Sequence, residues 1–217
     1  SMRMHPPVWL RRAGKMKDCT SVEEYKSAGG LAGFEKAVAE GKDYILDEME
    51  AALLRGRGGA AFPPGPKWRQ LCEMDIWPKY IVCNADDGEP GTMKDKTLLR
   101  DDPLSVIEGM LTAGYVSRAV HGFIYIRGEY RLIQRIFQKA LDNAKAAGYL
   151  GDNIQGIEGF DYDISIVSGS GAYVCGENSA LLNSIEALSG RPRVKILRLA
   201  QVGLYGQPTL GNYVGSF

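Results

Sequence analysis

Cysteine is scarce in this chain of 217 residues: there are four, at positions 19, 72, 83 and 175, and only His5 and His121 to supplement them. No two cysteines form a CxxC pair, so the closely spaced ligand sets of a zinc site or an iron–sulfur cluster are missing. Four cysteines at this length also speak against a disulfide-stapled secreted scaffold, and a reducing cytoplasm is the expected setting. Excess charge is lacking as well. The 26 lysines and arginines balance 26 acids, which gives no sequence-wide case for nucleic acid or an anionic membrane as partner. No run of 18 apolar residues exists, so no transmembrane helix and no direct membrane insertion are expected. Met2 to Arg12 carries charge without an apolar core, so no signal peptide is expected. A GxSxG elbow is absent too.

What remains is the balance of an ordinary domain with a sizeable core: 45% hydrophobic and 24% charged residues. Of the 27 glycines, four fall between 56 and 65 and three between 169 and 176, in two loops. The first fifty residues read as short helices. Ser21-Val-Glu-Glu24 has capping-box spacing, Gly29-Gly30 stops that helix, and a second stretch runs from Leu31 to Ala39. Ile45, Met49, Ala52 and Leu53 share one face of a third helix.

After Gly65 strands alternate with helices. Tyr80 to Cys83 is an apolar strand ending at Asn84. Asp102-Pro103 starts a helix running to about Ala119, with Asp as N-cap and Pro in the first turn. Phe123 to Ile126 is the next strand, Arg131 to Ala147 a helix, Tyr162 to Val167 a third strand, and Glu177 to Leu188 a last helix. The tail from Ser189 reads as turn-rich. This rhythm predicts an α/β fold, a Rossmann-like or flavodoxin-like parallel sheet with helices on both faces, behind a short helical N-terminal region. The division is expected at 1–54 and 55–217. Ligands of such sheets bind outside the carboxyl ends of the strands. The segments leaving those ends are Asn84 to Gly91, Arg127 to Tyr130 and Ser168 to Gly176.

Three constellations could carry chemistry. Arg55 to Trp68 is glycine-rich and basic, with Gly58-Gly59 letting main-chain amides approach a flat ligand and Phe62 and Trp68 offering stacking faces; its bland counterpart is a surface loop. Asn84-Ala-Asp-Asp-Gly-Glu-Pro-Gly91 groups three acids after a strand. They suit magnesium, the hydroxyls of a sugar or ribityl chain, or nothing beyond a solvated turn. In Ser168 to Glu177, Gly171 and Gly176 have Walker spacing, but Glu177-Asn178 stands where a P-loop needs lysine, and GxGxxG is not matched. A tight loop into a helix N-terminus is left, a natural place for an anionic group. Cys175 has no histidine nearby in sequence to activate it, and His121, entering a strand among apolar neighbours, reads as structural.

Taken together, the words GRGGAAFPPGPKW (56–68), YIVCNADDGEPGTMKDK (80–96), IYIRGEY (124–130) and GSGAYVCGENSALLNSIEALSGRPR (169–193) resemble those of the respiratory complex I flavoprotein family. The related diaphorase subunits of NAD-linked hydrogenases and formate dehydrogenases share them. The words come in family order and the likeness spans roughly Leu46 to Asn212. It implies a domain holding FMN, to which NADH or NADPH delivers hydride. Carried over as FMN contacts are Gly56, Arg57, Gly58, Gly59, Lys67, Asn84, Asp86, Tyr173, Gly176, Glu177, Asn178 and Asn212. Phe62, Glu89, Glu177, Lys195 and Arg198 match positions around the nicotinamide nucleotide, with Glu89 as the candidate catalytic residue.

Departures from the family pattern are equally specific. Its Glu-Glu after the Cys-Gly step is Glu177-Asn178, the aromatic two residues past Lys-Trp is Gln70, and Arg198 stands where a stacking Phe is usual. The family's β-grasp domain and its cluster-binding CxxCxxC do not occur in these residues, so no iron–sulfur cluster is expected in this chain. It is either an excised domain or its electrons leave through another chain. The expected function is an FMN-bearing, NAD(P)H-oxidising module that passes electrons to iron–sulfur subunits of a larger complex. The expected cellular place is the cytoplasm, or the membrane periphery through that complex. The alternative keeps FMN as a relay or structural group and loses nucleotide oxidation.

Overall fold

A computed structural model describes residues 16–54, 69–70, 72–75, 77–84, 99–168, 197–199 and 213–216. Its elements are helices α1 (Val22–Ser27), α2 (Ala32–Glu40) and α3 (Lys42–Leu54), strand β1 (Tyr80–Asn84), helix α4 (Pro103–Ser117), strand β2 (His121–Tyr125), helix α5 (Arg131–Ala146), and strands β3 (Ile164–Val167), β4 (Leu197–Leu199) and β5 (Tyr213–Ser216). They form a sheet of order β3-β2-β1-β4-β5, parallel except for the antiparallel β4–β5 pair. The α/β class is as the alternation predicts. Strands β4 and β5 lie in the tail that reads as turn-rich; three and four residues are too short to show a period.

From β1 to β2 to β3 the chain steps twice in one direction, so right-handed crossovers place α4 and α5 on the same face. Accordingly α4 packs on β1 and β2, and α5 on α4 and β3. The helix expected over Glu177–Leu188, on the crossover that would lead to the other face, lies outside the described residues.

Helix α4 is apolar nearly all round and is buried along almost its whole length, as such a helix must be. The sheet covers one side; α2, α3 and α5 cover the rest. Tyr25, Phe34 and Leu46 of the first three helices therefore join Ile107, Met110 and Leu111 in one core.

Local chemistry sets the boundaries. Ser21 caps α1 by accepting from the Glu24 amide at 3.2 Å. The Glu24 carboxylate turns outward instead of closing the box, accepting from the amides of Lys17 and Asp18 at 3.1 and 3.0 Å. Gly29, at φ +96°, ends the turn. Leu31 then enters α2 in the left-handed region, at φ +67°, a strained conformation for a bulky residue.

A buried carboxylate from elsewhere in the fold holds that start. Glu108, in the middle of α4, accepts from the Tyr25 hydroxyl and from the amides of Leu31 and Phe34, the last two at 3.0 and 3.1 Å. These amides sit at the N-cap and first turn of α2, donors that have no partner inside their own helix. A negative group there also suits the helix dipole.

Strand β2 starts at His121, two residues before the expected start, because the ladder to β1 already pairs His121 with Tyr80. Strand β3 starts late, at Ile164, because Tyr162 leaves the ladder to bridge Gly151. Its ring lies against Gly114 and its hydroxyl against Gly122, where a methyl group would fall 2.6 Å from the ring and 2.3 Å from the hydroxyl oxygen. Its hydroxyl donates to the Met110 carbonyl at 3.0 Å. Glycine is required at both places by this close approach.

Candidate functional site

The strand order fixes where a ligand can enter. The chain proceeds from β1 to β2 on one side, while β4 joins β1 on the other. Connections diverging from adjacent parallel strands leave a crevice at their carboxyl ends, and open α/β sheets bind ligands there. Asn84 is the last residue of β1, in register with Tyr125 at the end of β2. Leu199, at the end of β4, pairs with Cys83. The acidic segment beginning at Asn84 thus leaves the sheet at the switch point.

The segments after β2 and β3 leave the same edge as far as they are described. β2 hands over to Arg127–Tyr130, a turn closed by the Tyr130 amide donating to the Arg127 carbonyl at 3.0 Å. The Arg127 guanidinium reaches Glu129 at 3.1 Å. β3 hands over to Ser168. The glycine-rich stretch after Leu54 returns to described chain at Arg69, whose guanidinium contacts Asp47 at 2.6 Å and Asp43 at 3.3 Å. Both ends of that stretch are therefore tied to α3.

Two of the predicted site residues fall within described backbone. Asn84 stands at the carboxyl end of β1, as expected. Arg198 is the middle residue of β4, in register with Val82 and with Gly215 of β5. Gly56, Arg57, Gly58, Gly59, Phe62, Lys67, Asp86, Glu89, Tyr173, Gly176, Glu177, Asn178, Lys195 and Asn212 lie outside the described residues, as do Trp68 and Cys175.

One side chain at this edge is missed by sequence reasoning. The Gln134 side-chain amide, on the first turn of α5, donates to the carbonyls of Ile126 and Arg127 at 3.1 and 2.9 Å and to the Ser168 hydroxyl at 2.9 Å. A signal for it exists. Positions 137, 141 and 144 of α5 are buried, and 134 continues that seam, so a polar residue there interrupts an apolar line. A polar group on a core-facing seam is the informative observation.

The amino edge has a different character. Lys79, just before β1, is buried and donates to the Cys72 carbonyl at 2.8 Å, with its ammonium 4.5 Å from the centre of the Trp77 ring. Burial lowers its pKa and pushes the Cys72 thiol up to about 12, so that thiol is protonated and inert. His121 bonds Ser165 through Nε2 at 2.8 Å and lies 4.7 Å from the Phe123 ring. Burial lowers its pKa. These are satisfied core groups, as the sequence suggests for His121.

Among the described residues no group of three or more His, Cys, Asp or Glu could hold a metal ion. No described helix is long and apolar enough to cross a membrane.

The chain is 48% identical over 174 residues to the mitochondrial NADH dehydrogenase flavoprotein 1 of Dictyostelium discoideum, covering 79% of this chain and 36% of that protein. It is 43% identical over 209 residues to the mitochondrial 51 kDa component of NADH-ubiquinone oxidoreductase from Neurospora crassa, covering 94% and 40%. The chain thus spans less than half the length of these relatives. Among solved structures, an NAD+-reducing NiFe hydrogenase in its H2-reduced state superposes with a TM-score of 0.61 at 36% identity, over 87% of this chain and 29% of that one. The family described as the Nuo51 FMN-binding domain matches residues 49–215, most of the chain, and the chain belongs to that family.

Proposed function

We propose that this chain binds FMN at the carboxyl edge of the sheet, takes hydride there from NADH or NADPH, and passes electrons to an iron–sulfur partner in a larger redox complex. The observation that carries this reading is the reversal of strand order at β1, the strand that ends at Asn84, which supports a ligand crevice at that edge. The family's FMN-binding description supports the identity of the ligand, and the names of the relatives support the nucleotide.

The residues suit the group. Asn84 would donate to and accept from polar atoms of the ring and ribityl chain, and Asp86 would accept from their donors. Gly56 to Gly59 allow the backbone close to a flat ring, and Lys67 and Arg57 supply positive charge for the phosphate. Tyr173, Gly176, Glu177, Asn178 and Asn212 complete the contacts. Phe62, Glu89, Glu177, Lys195 and Arg198 would hold the nucleotide against the ring, with Glu89 as the candidate catalytic residue. Bound FMN supplies a two-electron acceptor that can release electrons singly, while the protein supplies position and field. Residues 1–54 form the helical support and 55–217 the FMN-binding part in this reading.

Titrating the chain with FMN tests it. Saturable binding is expected, weakened by about 1–3 kcal/mol in Lys67→Ala or Asp86→Ala, the cost of one lost buried partner; unchanged affinity in both would overturn the site. The loaded protein is then mixed anaerobically with NADH and with NADPH. Bleaching by either supports nucleotide oxidation, and the faster one identifies the preference. Bleaching by neither leaves an FMN-binding module without that activity.

A further inference from the structure

Three segments leave the carboxyl edge of the sheet, and one side chain joins two of them. The Gln134 side-chain amide carries two hydrogens and faces three oxygens: the carbonyls of Ile126 and Arg127, where β2 ends, and the hydroxyl of Ser168, where β3 ends. The main chain supports the same junction, with the Ile126 amide donating to the Val167 carbonyl at 3.0 Å. Beyond these residues β2 runs into the turn 127–130 and β3 reaches Ser168. Gln134 is itself fixed, because it stands on the rigid first turn of α5 with its backbone amide donating to the Tyr130 carbonyl at 3.0 Å.

We propose that Gln134 is a positioning residue of the ligand site. It sets the spacing between the β2 and β3 exits, and so the shape of the edge that receives the ligand, without touching the ligand. This rests on the FMN reading above. An apolar residue, which the seam of α5 would otherwise take, leaves the Ile126 and Arg127 carbonyls without this donor and frees Ser168. A small displacement there is costly, because sites tolerate misplacement poorly.

The test uses the full chain and two readouts. Amide hydrogen exchange is followed at Ile126–Tyr130 and Val167–Ser168, and FMN affinity is measured well below the unfolding temperature. Gln134→Leu is expected to speed exchange at both exits about tenfold and to weaken FMN about tenfold. Asn143→Ala, which removes the tie from α5 to the Thr20 carbonyl at 2.8 Å, lowers the unfolding temperature but leaves both readouts at parent values. Ser168→Ala is the milder variant should Gln134→Leu fail to fold, with about a threefold loss of affinity expected and faster exchange at Ser168. Parent-like exchange at the exits in Gln134→Leu, or in Ser168→Ala if that variant stands in for it, overturns the proposal. So does a loss of affinity that tracks stability equally in the Gln134 and Asn143 variants. If the parent binds no FMN, the flavin reading fails, and the exchange measurement alone still decides whether Gln134 holds the two exits.

Discussion

The two faces of the central sheet are made from different chemistry, although the same three strands supply both. Toward α4 the register aligns Ile81 with Gly122 and Ile164, and Cys83 with Ile124 and Ile166. Toward the other side it aligns Tyr80 with His121, Phe123 with Ser165, and Tyr125 with Val167. The first face is aliphatic, and its fit depends on shape: glycines at 114 and 122 make room for the Tyr162 ring. The second is aromatic and polar, with Tyr80, His121 and Phe123 in ring contact. Aliphatic and aromatic or polar groups are thus apportioned between faces by the period-two alternation of a strand.

Substitutions on the aliphatic face should therefore be the most damaging. Ile124, completely buried, is expected to cost about 2–5 kcal/mol as Ile124→Ala, the range for removing a buried branched side chain. Denaturant melts check it, and a loss below that of any aromatic-face truncation would break the comparison. Next comes Gly114→Ala, whose methyl would lie 2.6 Å from the Tyr162 ring. Overpacking of this kind costs about 1–3 kcal/mol, although Ala is the better helix former; a stabilised variant would show that the Tyr162 slot yields easily.

Two tyrosines give the sharpest contrast, one on each face. Tyr162→Phe removes the bond to the Met110 carbonyl and should cost about 0.5–1.5 kcal/mol. The buried Tyr80 hydroxyl has no hydrogen-bond partner among the described residues, so Tyr80→Phe should leave thermal stability unchanged or raise it, since an unpaired buried hydroxyl is a cost. Equal losses in both variants would erase the distinction.

The smallest effect belongs to pH. Burial lowers the His121 pKa, the nearby Asp163 carboxylate opposes that shift, and Lys145 adds to it. The folded state therefore favours neutral imidazole. This contribution is complete above the ordinary value near 6.5, declines as pH falls from there through the lowered folded value, and is flat below it. Melts between about pH 7 and pH 5 should show a decline that His121→Gln lacks. An identical decline in both proteins would assign it to other groups.

How much of this is legible in the sequence depends on the reach of the interactions involved. Strand β1 ends at Asn84 and α4 begins at Pro103 as read, because apolar runs and a proline in the first turn act locally. Ser21 is legible as a cap, but the Glu24 half of its box is not, since the Lys17 and Asp18 amides compete for that carboxylate. The Asp102 side chain makes no capping bond; the Ser105 hydroxyl and amide turn to its carbonyl instead. Glu108 and Tyr162 give no signal, because their partners are tens of residues away. At the site, Asn84 is placed by its strand, whereas Gln134 shows only as an interruption of the α5 seam and is easily passed over. Arg198 reads as a nucleotide contact with no strand beneath it; three residues of β4 are too few to find.

Glu108 ties the order of synthesis to the order of folding. Phe34, whose amide it receives, is made 74 residues earlier, and Leu31 77 residues earlier. A chain emerging N-terminus first therefore presents α2 to solvent long before its capping carboxylate exists. Nine residues are too few for a helix to persist alone in water, and Leu31 has no reason to hold a left-handed conformation without that carboxylate. A segment made before its cap thus settles after it, its final geometry written by a residue 74 to 77 positions farther along the chain.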